Sequence, residues 1–255
     1  MNKITRIIFI DNIKGKVVIA YTVVLAIMAW ASLLLQDNAS KASLTILNIL
    51  LFIVPLVSLL YTTIYLYNSR EFVVMLLSQP LRRKRIWSSL FTGISCSMLA
   101  AFLVGVALPV CLFIPAAQAA VITLCGCAVT MVFVSVAFLT TMQTSDKARG
   151  IGIAILLWLV FTMLWDSALL YFLFVFDSWP IEKPVMALLM LNPLDLARFQ
   201  VIMQMDASAM LGYSGAAFKE FLGATTGMTV SVILMALWIV LPFMASLRRF
   251  KRKDL

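Results

Sequence analysis

Few side chains in this 255-residue sequence could do chemistry, and their kinds narrow what it can do. It contains no histidine, which removes the usual general base and the commonest metal ligand. Cys96, Cys111, Cys125 and Cys127 all fall in apolar stretches and offer no readable disulfide framework. Cys125 and Cys127 are two positions apart, a spacing that turns helical side chains about 200° from one another and makes a poor chelate. Packing at helix contacts accounts for them. Met203, Met205 and Met210 carry thioethers of the kind that take Cu(I), but they are three of 15 methionines, most of them in apolar stretches where they pack. Asp166 is the one charge placed within a long apolar segment. Burying it in lipid would cost about 2.5–3.5 kcal/mol, so it should face other helices, a subunit interface or water, or snorkel to the boundary beside Trp165. Functional and structural readings of Asp166 both stay open. Neither a catalytic centre nor a resident metal site is expected.

Two polar stretches hold the remaining signal. In Asn192-Pro193-Leu194-Asp195-Leu196-Ala197-Arg198, Asn192 suits an N-cap and Pro193 the first helical position. Asp195 falls in the first turn, where the helix dipole favours an anion, and Arg198 three residues on can pair with it. The second stretch is Asn68 to Arg85. Arg70 and Glu71 open a helix-capable segment that Pro80 closes, and between them Phe72 to Leu77 is six apolar residues in a row. An exposed helix should not be apolar all round, so this segment extends the preceding span, buries itself in the protein's own interior, or enters a partner's groove. Arg82, Arg83, Lys84 and Arg85 follow, four cations that cannot be carried cheaply across a bilayer and that assign this loop to the cytoplasmic side.

The elements that must position these residues are membrane spans. The chain is 63% apolar and 12% charged, with mean hydropathy +1.05, the composition of an all-α polytopic membrane protein. Its net charge of +9 collects beside the apolar segments, where topology and anionic lipid are sufficient reasons, so membrane lipids are expected partners and nucleic acid is not. Residues 1–16 read as an amphipathic cytoplasmic helix, with Ile4, Ile7 and Ile8 on one face, or as a plain basic flank. Six spans are expected at about 17–35, 44–67, 86–113, 116–142, 151–176 and 223–247. Ala29-Trp30-Ala31 looks like a signal-peptidase site, but the apolar run continues, so the first span is expected to stay uncleaved. Pro55 should kink the second span. Ile86 to Met142 carries no charge and, at about 85 Å if it were one helix, must fold back; Pro109 and Pro115 mark the expected reversal. A coupling loop (68–85), an outer connection (177–222) and a basic tail (248–255) complete the domain of residues 17–247. Val185 to Leu191 is too short to span and suggests an interfacial or re-entrant helix. Sixteen of the 20 lysines and arginines then fall on one side, which makes both termini cytoplasmic. No Gly-x-x-x-x-Gly-Lys-Ser/Thr loop is present, so an energy supply must come from another subunit or an ion gradient.

Six spans, the loop Arg70-Glu71 followed by Leu76-Leu77-Ser78-Gln79-Pro80 with Arg82 and Arg83, and Asn192-Pro193-x-Asp195-x-x-Arg198 before the last span together resemble the ABC-2 type (type V exporter-like) permeases. The stretches Ser69 to Phe72, Leu77 to Pro80, Asn192 to Arg198 and Met205 to Ala216 are most similar to the branch of that family serving nitrous oxide reductase maturation. The resemblance implies a homodimer in the bacterial inner membrane. Each copy would dock on a cytoplasmic ABC ATPase through a coupling helix, with Arg70, Glu71, Met75, Leu76, Leu77, Gln79, Pro80, Arg82 and Arg83 as its contacts. ATP and Mg would be bound by that partner, and this chain would hold no cofactor. It further implies a periplasmic repeat protein on the outer face and a role in assembling copper-sulfur sites. Many family members carry Gly-Thr after the glutamate where Phe72 and Val73 stand here, so the loop's role carries over better than any single contact. Export of a hydrophobic small molecule, lipid or polysaccharide is the alternative within transporters, and a membrane-embedded enzyme, disfavoured by the missing histidines, is the alternative outside them.

Overall fold

The computed structural model describes residues 3–36, 38–176, 182–204 and 224–252. Among these the chain is helix and short connections, with no strand. Six segments are long and apolar enough to cross a bilayer: Lys16–Leu34, Ser40–Asn68, Arg83–Phe113, Ala116–Gln143, Lys147–Val175 and Gly227–Arg252. The molecule is therefore an all-α multi-pass membrane protein.

The first helix, α1 (Lys3–Ile13), does not lie free. It buries Thr5, Ile8 and Asn12 and packs along α5 (Arg83–Phe102). Gly93 permits the approach, because a Cβ there would stand 2.7 Å from the Ile8 side chain. Ile7 stays 59% exposed, so the apolar face is split between the protein and its surroundings. The first span is α2 (Lys16–Leu34) and the second α3 (Ala39–Asn68), which runs unbroken through Pro55. At Ser69, residue φ −88° and ψ 9°, the chain turns into the short α4 (Arg70–Leu77).

In the third span, α5 opens into a wider π turn at Leu103–Ala107 and continues as α6 (Leu108–Phe113). Pro109 lies inside the third span, which ends at Phe113 as expected, and the reversal falls at the second of the two prolines that mark it. A proline ring collides with the carbonyl four residues back and lacks an N–H, and the π turn supplies the extra room for the helix to continue. The chain reverses only at Ile114 and Pro115, where α7 (Ala116–Gln143) begins.

The fourth span, α7, is the centre of the bundle, with 67% of its apolar window buried, and α3 packs most extensively against it. Gly126 on α7 faces the Phe102 ring so closely that an added Cβ would lie 2.1 Å from Cζ. The fifth span comprises α8 (Lys147–Leu159), a π turn at Val160–Leu164 and α9 (Trp165–Val175), and only 11% of its window is buried. Two helices too short to cross follow, α10 (Glu182–Leu191) and α11 (Pro193–Gln204), and Val185, Leu189 and Phe199 from them close a small core with Leu169 of α9. The sixth span is α12 (Ala224–Arg252). Its end meets the start of α5: Trp87 stacks on Phe250 at 4.3 Å, its Nε1 donates to Ser246 Oγ (3.0 Å), and Arg83 donates to the Lys251 carbonyl (3.2 Å). The basic residues of both chain ends and of the α4–α5 loop thus gather at one end of the bundle.

Candidate functional site

At this basic end, α4 separates its apolar run by helical periodicity. Val73 and Leu76 are three apart and buried at 6% each, while Val74 and Met75 turn outward at 49% and 55% exposed. Glu71, Gln79 and Pro80 are exposed with them, and Phe72 and Leu77 are half-buried. The six apolar residues thus divide between a face turned into the bundle and a face turned outward. Leu76, among the expected docking contacts, faces the protein's own interior. Val74, absent from that expected set, shares the outward face with Glu71 and Met75 through the three- and four-residue spacing, a signal present in the sequence.

Arg70 is engaged within the chain. Its guanidinium donates to the Ser145 carbonyl and to the Thr144 carbonyl (3.2 Å) and lies 4.6 Å over the Tyr67 ring. The Tyr67 hydroxyl is 2.7 Å from Thr144 Oγ1, and Lys147 Nζ donates to Asn68 Oδ1 (2.8 Å). Gly150 completes the fit, because a Cβ there would stand 2.1 Å from the Tyr67 hydroxyl. Asp146 caps α8 by accepting from the Ala148 N–H at 2.9 Å. The two polar connections at this end are therefore one structure. Arg82, Arg83, Lys84 and Arg85 are exposed beside it.

At the opposite end, the Asn192 motif and Asp166 form one cluster. Asn192 Oδ1 accepts from the Leu194 N–H (3.1 Å), which caps α11, and Pro193 fills its first position. The Asn192 amide donates to Asp195 Oδ2 (3.0 Å) and to the Phe161 carbonyl in the π turn (3.2 Å). Arg198 bridges two carboxylates, reaching Asp166 Oδ2 at 3.3 Å and Asp195 Oδ1 at 3.4 Å. Asp166 and Arg198 are 34% and 40% exposed and, with Asn48, Thr162 and apolar neighbours, line a cavity of about 90 Å³. Asp195 is 7% exposed. Burial pushes its carboxyl up to about 6, with Asp166 adding to the rise and Arg198 and Asn192 opposing it. Asp166 thus turns inward to a cation, an arrangement suited to holding helices together.

A larger apolar cavity, about 380 Å³, lies between α7, α11 and α12, bounded by Leu124, Val232 and Ile239 among others. Gln200 forms its polar wall, donating to Ser231 Oγ and accepting from Cys125 Sγ (3.1 Å). Among the described residues no group of three or more Cys, Asp or Glu side chains converges as metal ligands. Cys125 is buried and Cys127 half-buried, and neither is in a disulfide. Met203 packs beside the small α9–α11 core, whereas Met205, Met210 and the rest of the motif through Ala216 lie outside the described residues.

No family model matches the chain. In an alignment of 190 positions it is 30% identical to the probable ABC transporter permease protein NosY of Pseudomonas aeruginosa, covering 68% of this chain and 67% of the relative. It is 23% identical over 270 aligned positions to the probable ABC transporter permease protein NosY of Stutzerimonas stutzeri, covering 95% of each.

Proposed function

The chain belongs to the ABC transporter permease proteins, and we propose that it works as a homodimer in the bacterial inner membrane, driven by a separate cytoplasmic ATPase that binds the ATP and Mg. The observation that carries this reading is the outward face of α4, where Glu71, Val74 and Met75 stand exposed at the basic end on a helix whose other face is fixed to the bundle. An apolar pair rimmed by charge suits the groove of a protein partner. The basic end is then cytoplasmic, in keeping with the cations of both chain ends and of the 82–85 run. In this reading Glu71, Val74, Met75, Gln79 and Pro80 meet the ATPase, Arg82 and Arg83 add charge at the rim, and Arg70, Leu76 and Leu77 hold the helix in place. Nucleotide-driven motion of the ATPases moves α4, tilts the spans and changes the opposite face.

The homodimer is supported by the fifth span, which leaves Leu170, Tyr171 and Phe174 at least 67% exposed beside the half-exposed Asp166–Arg198 pair. Lipid would solvate that pair poorly, and a second copy would cover it. The finer role, assembly of the copper-sulfur sites of nitrous oxide reductase together with a periplasmic repeat protein, is supported by the likeness of residues 69–72, 77–80, 192–198 and 205–216 to that branch and by the names of the two relatives. A second reading, export of a hydrophobic molecule, draws on the apolar cavity of about 380 Å³.

Purifying the tagged chain in mild detergent from cells that express its neighbouring genes, and identifying its companions by mass spectrometry, separates these readings. Recovery of an ATPase with a periplasmic repeat protein supports the maturation role. An ATPase alone leaves the exporter, and recovery of neither would overturn the transporter assignment.

A further inference from the structure

The fifth span is the least embedded of the six, yet polar contacts hold it at both ends. At the basic end its first turn joins the segment leading into α4: Tyr67 sits against Gly150, Lys147 donates to Asn68, and Arg70 binds the carbonyls of residues 144 and 145 just before it. At the far end Asp166 accepts from Arg198, and the Phe161 carbonyl accepts from Asn192, both on the segment that forms α11. Gly150 and Asp166 are 16 residues apart, about 24 Å along a helix axis, most of a bilayer core. Midway, Trp158 donates to the Phe52 carbonyl (3.1 Å) and keys the span to α3, which itself runs into α4 through Ser69. The π turn at Val160–Leu164 lies directly before the far contact.

We propose that the fifth span is a connecting rod, clasped by Tyr67, Asn68 and Arg70 to the ATPase-facing helix and by Asp166 and Arg198 to the outer helix α11. The proposal rests on the ATPase-driven reading above and specifies which element transmits the movement. Within one chain this span packs mainly along α3 and leaves its other faces outside the core, whereas α7, buried on most sides, would have to repack the core to move. Displacement of α4 is therefore delivered to Thr144–Gly150 and carried to Asp166, where the bridge to Arg198 shifts α11 and α10 with it. Tyr67, Arg70, Asp166 and Arg198 are positioning residues in this scheme.

The test uses the full chain purified with its co-expressed ATPase and follows hydrogen exchange of residues 182–204 with and without ATP and vanadate, since a relay is established only when both ends bias one element. In the wild type, trapping the nucleotide should change exchange in these peptides by about twofold or more. Tyr67→Phe removes one hydroxyl and Asp166→Asn one charge. Each should retain the ATPase and its hydrolysis while losing the far-end change, and Asp166→Glu should restore it. Should Asp166→Asn fail to fold, Tyr67→Phe decides alone. Persistence of the change in Tyr67→Phe, or a wild-type complex that hydrolyses ATP without a far-end response, overturns the rod while leaving the permease reading in place. Failure of the wild type to bind any ATPase overturns both.

Discussion

Asp195 shows how a residue already explained as part of a helix start acquires a property from its neighbours. Its carboxyl is raised from the ordinary 3.8 to about 6, first by burial and then by Asp166. Between those two pH values the folded chain holds a proton that the unfolded chain has released, so stability falls as pH rises through this window and is level above it. A shift of roughly two units corresponds to about 2–3 kcal/mol. Thermal melts in detergent at pH 4.5 and 7 should show this loss, and Asp195→Asn should flatten it; an unchanged slope in that variant would place the titration elsewhere. Gly126 supports a second prediction. The Phe102 ring end that an added Cβ would strike is fully buried and has nowhere to move. Gly126→Ala should therefore cost about 1–3 kcal/mol as overpacking, read as a lower melting temperature, with part of the loss regained when Phe102→Leu is added.

Among the elements, α4 was the most legible in the sequence and the fifth span the least. A break after the second span, a six-residue apolar run and Pro80 are local signals, and helical spacing alone sorts Val73 and Leu76 from Val74 and Met75. The role of Arg70 was hidden because its acceptors, Thr144 and Ser145, lie some seventy-five residues away. Asp166 and Arg198 each stood out, one as an intramembrane charge and one as a helix-pairing cation, yet 32 positions separate them and no local pattern joins them. The reversal near Pro115 was legible because the apolar run there is too long for one crossing, whereas nothing local marks the π turn that carries the helix through Pro109. The sorted faces of α4 give a prediction at this scale. Val74→Asp with Met75→Asp should leave melting within about 0.5 kcal/mol of wild type, as exposed substitutions do, while abolishing ATPase association. Leu76→Asp should instead cost about 3 kcal/mol or more by burying an unpaired charge, read as loss of monodisperse protein after extraction.

As a whole molecule, the chain is a bundle built around α7, with basic residues and α4 at one end and the Asn192–Arg198 cluster at the other. The count of six spans was readable from hydropathy and length, because charged or polar breaks bound the other apolar runs and the uncharged run from Ile86 to Met142 is too long for one crossing. How the spans pack was not, since helices that look alike in composition differ from 67% to 11% buried. The least buried of them, the fifth, is where a second copy is proposed to sit, and the exposed face of α4 is where each copy would meet an ATPase. Native mass spectrometry of the complex released from detergent measures both associations at once. The expected mass is that of two permease chains with two ATPase chains, reduced to two permease chains alone by Val74→Asp with Met75→Asp. A wild-type chain that flies without an ATPase, or a double variant that keeps it, would contradict the proposed docking of a separate motor on α4.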